Sequence, residues 1–220
     1  MYIPEYFRVR DHEDAIKFMR ANPFAILISS MDAGPFATHL PLFVRAEKAA
    51  DKDEEKVVLR GHVAKANPHW RYLERQPQCL AIFHGPHSYI SPAHYTVHES
   101  VPTWNYGAVH LYGSAQLFSS PEALQVVLHE LIHTFEPAYA AQWASLDEGF
   151  RERMLKQIVG FEIEVTKVEA KFKLNQNRSR EDQANVIASL EKADDTAVSG
   201  VARLMKEQRL GGIQAGKEDK

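Results

Sequence analysis

An internal disulfide is closed to this chain, because its 220 residues hold a single cysteine, Cys79. A lone thiol suits a reducing compartment. No apolar run approaches the roughly 20 residues that a bilayer-spanning helix needs. The opening MYIPEYFRVRDHEDA is polar and acidic and lacks the apolar stretch of a secretory signal. A cytoplasmic protein with no membrane partner is expected. Basic excess is missing too, since the formal net charge is −3. Phosphate neutralisation supplies most sequence-independent affinity for nucleic acids, so DNA binding here would need a local patch or a partner. There is no internal repeat.

The residues that are present read as strands first and helices late. Asp11 is placed to cap a helix that ends at Asn22-Pro23. Residues 24–30 form an apolar run typical of a buried strand. Turn chemistry at Asp32-Ala33-Gly34-Pro35 leads into a second strand over 36–44, so the two are expected to form a hairpin. A charged, alanine-rich stretch over 46–56 reads as a solvated hairpin loop before a third strand at 57–64. Asn67-Pro68 opens a short helix to residue 74, and a fourth strand covers 79–84. The Pro- and His-rich segment 85–102 is long for a connection, which favours a functional or interface role. A strand over 109–118 follows. Helices are expected over 120–136 and 147–158, and a long strand over 159–174. Ser179 and Asp182 suggest a capping box for a helix towards residue 192. Helix then continues to about 209, and 211–220 reads as a frayed tail. Such an order argues a barrel or sandwich with helices at its ends.

Five local patterns invite a function, and each has a plainer reading. His129-Glu130-Leu131-Ile132-His133 matches the H-E-x-x-H of zinc proteases. However, the apolar stripe of that helix is Leu124, Val127, Leu128, Leu131 and Phe135, and both histidines lie opposite it, facing solvent. His84, His87, His94, His98 and His110 could ligate a metal or haem, but no pair has a recognised spacing with a thiolate or carboxylate. Residues 61–68 (GHVAKANP) pass from a strand into a helix start, where a lysine and backbone N–H groups suit phosphate; a well-capped helix is the alternative. Residues 171–180 (KFKLNQNRSR) carry four basic residues and no acid, which fits a cofactor phosphate, DNA or a solvated strand end. Aromatics among prolines over 86–92 and 101–106 could cover a planar ring, meet a partner subunit or pin their own loop.

Six strings taken in order, MYIPEYF, ATHLPL, GHVAKANPHW, HSYISPAHY, VPTWNY and KFKLNQNRS, make the chain resemble the PaiB family of FMN-binding negative regulators of transcription. The resemblance spans about residues 1–190. It implies an FMN-binding split β-barrel, mainly β with added helices, related to pyridoxamine-phosphate oxidases. It also implies a homodimer with flavin at the subunit interface. By position, Thr38, His39, Leu40 and Pro41 would line the flavin ring. His62, Lys65 and Asn67 would reach the phosphate. Ser88, Tyr89, Ser91, Trp104 and Asn105 would come from a covering loop of one subunit or the other, with Lys173 and Gln176 as further candidates. A domain over 1–175 and a helical extension over 176–220 are expected. The readings carried forward are an FMN-responsive regulator with possible DNA contact, a flavin oxidoreductase in which His39 is the one candidate proton donor, and a haem-binding barrel.

Overall fold

The computed structural model describes residues 1–32, 34–48 and 55–215. The described residues fall into two compact units. One comprises Ile16–Phe83 and His110–Glu169; the other comprises Met1–Ala15, His84–Val109 and Ala170–Lys220.

The first unit is built on a barrel sheet. Its strands are β1 (Phe24–Met31), β2 (Gly34–Pro41), β3 (Phe43–Lys48) and β4 (Glu55–Ala64), with parts of β5 (Gln78–Ile90), β6 (Thr103–Phe118) and β7 (Ile158–Lys173). The strand order is β2-β1-β5-β6-β7-β4-β3. β1 and β2 pair antiparallel from Phe24↔Pro41 to Met31↔Gly34, and β4 pairs antiparallel with both β3 and β7. Period-two burial fixes which face turns inward: Ala25, Leu27 and Ser29 on β1, and Val57, Leu59 and Val63 on β4. Phe83, Leu111, Phe161 and Ile163 complete this core.

The sequence pattern merges β2 and β3 into one strand over 36–44. Instead the chain breaks at Leu42, which sends β2 and β3 to opposite ends of the sheet. With one residue between its outermost strands, the sheet has to curl round on itself. Leu42 is 1% exposed, and its N–H donates to Pro23 O at 2.9 Å. At the seam Gly61 of β4 leaves no room: a Cβ there would lie 2.8 Å from Leu42 Cδ2 and 3.4 Å from Pro41 O.

Helices α1 (His12–Ala21), α2 (His69–Arg75), α3 (Pro121–Phe135), α4 (Tyr139–Ser145) and α5 (Glu148–Leu155) follow local signals, except that α4 has none strong enough to expose it. Asp11 Oδ1 caps Glu13 N–H at 2.8 Å. Ser120 Oγ accepts from Ala123 N–H, and Asp147 Oδ1 from Phe150 N–H. On α3 the buried residues are Leu124, Val127 and Ile132, whereas Phe135 is half exposed; the inward stripe is therefore rotated from the expected one. The expected loop at 46–56 is shorter, because β3 and β4 extend into it; its centre, like Ala33 and residues 216–220, lies outside the described residues.

In the second unit, β5 continues to Ile90, so the first third of the expected loop 85–102 is strand; a 3-10 turn at Pro92–His94 follows. Helices α6 (Arg180–Leu190) and α7 (Thr196–Ala215) pack through Val186, Ile187, Leu190, Val201 and Met205. The expected frayed tail is helical as far as Ala215. Ser179 Oγ caps Asp182 N–H at 3.1 Å, while the Asp182 carboxylate turns to Thr96, accepting from its N–H at 2.7 Å and its hydroxyl at 3.0 Å.

Gly113 of β6 marks a close approach to the backbone of β7. A Cβ on it would sit 2.3 Å from Glu164 O and 2.7 Å from Ile163 Cγ2, and backbone cannot move aside as a flexible side chain can. Gly113→Ala is expected to destabilise the fold by about 1–3 kcal/mol through overpacking, read as a lower urea midpoint with unchanged slope.

Candidate functional site

His69, the first residue of α2, is fully buried and organises the barrel end of the first unit. Its Nδ1 lies 2.7 Å from Thr38 Oγ1, and its Nε2 lies 3.0 Å from Ser29 Oγ. Asn67 closes the group: its Oδ1 accepts the His69 N–H at 3.0 Å and its Nδ2 donates to Thr38 Oγ1 at 3.2 Å. Phe36 meets the imidazole edge-on at 5.1 Å. These contacts fasten β1 and β2 to the turn between β4 and α2. Burial drives the His69 pKa down to about 4, so the ring is neutral and bridges two hydroxyls as one donor and one acceptor.

The same turn presents Lys65. Its N–H donates to Gln157 O at 2.7 Å, and its carbonyl accepts from Trp70 Nε1 at 3.0 Å. The backbone is held on both sides while the ammonium side chain stays exposed. His62, on β4, is half-buried, and burial lowers its pKa. On β2, His39 is exposed and Leu40 points into the core, with Pro41 half-buried beside it. β2 pairs with β1 along one edge only; its other edge has no strand partner among the described residues. Of the expected contacts, the structure brings Thr38 and Asn67 into direct hydrogen bonding, but both amide groups of Asn67 are already engaged within the protein.

The remaining candidates belong to the second unit. Tyr89 and Trp104 are half exposed, with ring centroids 6.1 Å apart, and His87 lies 6.3 Å from the Trp104 ring. Ser88 is buried and donates to Tyr89 O, and Ser91 Oγ accepts from Ala93 N–H at the 3-10 turn. Asn105 is fully buried; its Nδ2 reaches only Met205 Sδ at 3.6 Å, and its Oδ1 has no partner. Lys173 donates to Thr103 Oγ1, and Gln176 folds back on its own turn, accepting from Leu174 N–H at 2.7 Å.

Three of the four cations of the run 171–180 are engaged within the protein, and Arg180 is exposed. Lys171 is 7% exposed, donating to Tyr2 O at 3.2 Å and lying 5.2 Å from the Tyr106 ring centroid. The Arg178 guanidinium stacks over Tyr95 at 4.2 Å. In the H-E-x-x-H string His129 and His133 are exposed as expected, and Glu130 accepts from Arg60 Nη1 at 3.1 Å. Arg60 in turn donates to Glu162 from Nε at 2.7 Å. A glutamate held by arginines is a poor water-activating base. No cluster of three or more metal-ligating side chains occurs among the described residues. Burial pushes the Cys79 thiol up to about 12, which leaves it inert.

Sequence reasoning missed His69 and Ser29. The string Asn67-Pro68-His69 announces a helix start, but nothing local says that the imidazole turns inward. The arrangement itself fits a phosphorylated planar ring: an unpaired strand edge offers backbone donors and acceptors, and Lys65 offers a cation on a fixed backbone.

Comparison with known proteins agrees. The family described as "Putative FMN-binding domain" matches residues 1–167. The protease synthase and sporulation protein PAI 2 of Bacillus subtilis is 37% identical over 212 residues, covering 94% of this chain and 98% of that one. Among solved structures, the flavocytochrome Anf3 from Azotobacter vinelandii superposes with a TM-score of 0.60 at 16% identity, over 83% of this chain and 78% of that one. The FAD and heme binding protein from Mycobacterium smegmatis superposes with a TM-score of 0.58 at 14% identity, over 80% and 78%. The fold is the split β-barrel.

Because the folded His69 resists protonation, the unfolded chain takes up a proton near the ordinary imidazole pKa that the folded chain refuses until about pH 4. Its stabilising contribution is therefore present above about pH 6.5 and is lost as pH falls towards 4, by up to roughly 3 kcal/mol. Urea melts of wild type and His69→Gln at neutral and mildly acidic pH check this: the variant should be weaker at neutral pH but lose less on acidification.

Proposed function

This chain belongs to the PaiB-type FMN-binding domain family, and we propose that it holds FMN along β2 as a homodimeric regulator of transcription whose state depends on the flavin. The observation that carries the reading is the pairing of an open strand edge at Thr38–Pro41 with the fixed, cation-bearing turn at Lys65 in one unit. Thr38, His39, Leu40 and Pro41 would hold the ring. The β2 backbone would meet its polar rim, and the Leu40 side chain would brace the strand from the core. Lys65 would neutralise phosphate charge, with His62 beside it on the same strand. Asn67 would act through its bond to Thr38, as a positioning residue. FMN when bound supplies redox chemistry; the protein's part is to bind, orient and screen it.

The exposed Tyr89–Trp104 pair is the kind of surface a homodimer would bury. The regulatory role rests on the family and on the 37% identical relative, whose name couples it to protease synthesis and sporulation. With Lys171, Lys173 and Arg178 engaged within the protein, DNA contact would have to come from elsewhere, the exposed face of α6 and α7 being the open choice. The exposed imidazole of His39, on the strand proposed to carry the ring, supports flavin oxidoreductase activity as the second reading.

Purified protein should be yellow with the two flavin absorbance bands; a Soret band in their place would give the pocket to haem. Lys65→Ala should weaken FMN by about tenfold to a hundredfold, the worth of a charged hydrogen-bonding partner. Riboflavin, which lacks the phosphate, should bind wild type and variant alike. Equal FMN affinity in both proteins removes Lys65 from the site. A flavin-dependent, salt-sensitive shift of promoter DNA supports the regulator, whereas sustained NADPH oxidation with an acceptor supports the enzyme.

A further inference from the structure

A recess lies in the first unit beyond the end of β2, with neither Lys65 nor any residue of β2 in its lining. It is a groove of about 600 Å³ between the last turn of α1, the start of β3 and the C-terminal half of α3. That volume is in the range of small-molecule sites. Its floor is apolar: Leu42, Phe43 and Val44 are all within 9% of full burial. Its rim is polar and cationic. Arg20 stands at the end of α1, with Nε and Nη2 each 3.4 Å from Val44 O. The guanidinium has five N–H donors, and no carboxylate pairs with Arg20 among the described residues. His129 and His133, one helical turn apart, form the opposite wall with Thr134. The one acid on the wall, Glu130, is held by Arg60 at 3.1 Å and approached by Arg45 at 3.5 Å. In a chain of net charge −3, this groove therefore gathers positive charge over a greasy floor.

We infer that the groove binds a small organic carboxylate with an aromatic or branched aliphatic body. Its carboxylate would lie on the Arg20 guanidinium, which offers paired donors matched to two oxygens. Its body would lie on Leu42, Phe43 and Val44, and His129 and His133 would bound it from α3. The histidines of the H-E-x-x-H string thereby acquire a role as donors and acceptors on a wall, without a metal. Leu42 links this groove to the barrel seam, so the occupant would sit on the residue that joins β2 to β3. That position suits an effector of a regulatory protein, and the binding site stands or falls independently of the flavin.

The test uses the full-length protein as isolated and fluorine NMR with 4-fluorophenylacetate as the probe and 4-fluorophenylacetamide as its uncharged match. Wild type should broaden and shift the acetate signal, and the amide should bind at least about tenfold more weakly, as expected for loss of a charged partner. Arg20→Gln should weaken the acetate by a similar factor and leave amide binding unchanged. Thr134→Trp, which fills the groove from an exposed position, should abolish both while FMN affinity and the circular dichroism melt stay at wild-type values. Absence of acetate binding at about 10 mM, a concentration that would reveal even millimolar affinity, overturns the inference. Equal affinity for acetate and amide overturns it too, as does a change of oligomeric state in Thr134→Trp, which would give the groove to a second copy of the chain.

Discussion

Leu42 is the single residue between the two outermost strands of a seven-stranded sheet. A sheet whose far edges are tethered so closely cannot stay open, and the closed barrel of the first unit follows from that tether. The closure requires Leu42 to be buried, Gly61 to lack a side chain at the seam, and Pro23 to accept the Leu42 N–H. It also leaves β2 with one edge that has no strand partner among the described residues. An exposed edge is ordinarily a hazard for aggregation. On the proposed flavin site, the same unpaired backbone groups would serve as recognition elements.

The barrel end is then made rigid by polar groups. His69 is a fully buried imidazole that touches two hydroxyls on neighbouring strands, and its neutrality is the condition for both bonds. Asn67 serves the same cluster with both ends of its amide. This division separates holding from binding: Asn67, His69, Ser29 and Thr38 fix the backbone, and Lys65, on that fixed backbone, is left exposed. In the second unit the same economy appears in the fate of its cations. Lys171 and Arg178 lie on aromatic rings, so two of the four cations in a run that looks like an anion site in one dimension are held by cation–π contacts in three.

Much of the architecture was legible in the chain itself. Helix caps at Asp11, Ser120, Asp147 and Ser179 could be read because a cap is a contact over two or three residues. The strands over 24–30 and 57–64 could be read because their composition is local. The solvent-facing histidines of α3 followed from counting angles around a helix. Six strings in order identified the PaiB family. The split between β2 and β3 was not legible, since 36–44 reads as one strand and the break at Leu42 is imposed by strand partners distant in sequence. Nor was α4, whose YAAQWAS has neither a capping side chain nor a buried residue.

What the sequence determined by itself, then, is whatever local energetics decide: which segments form strands and helices, where helices start, and the family to which the motifs belong. Tertiary structure alone decided the closure at Leu42, the inward turn of His69 onto Ser29 and Thr38, the burial of Lys171, and the groove under Arg20. Each of these joins groups tens of residues apart, and whether a polar side chain is solvated or bridging depends on which distant surface arrives to cover it.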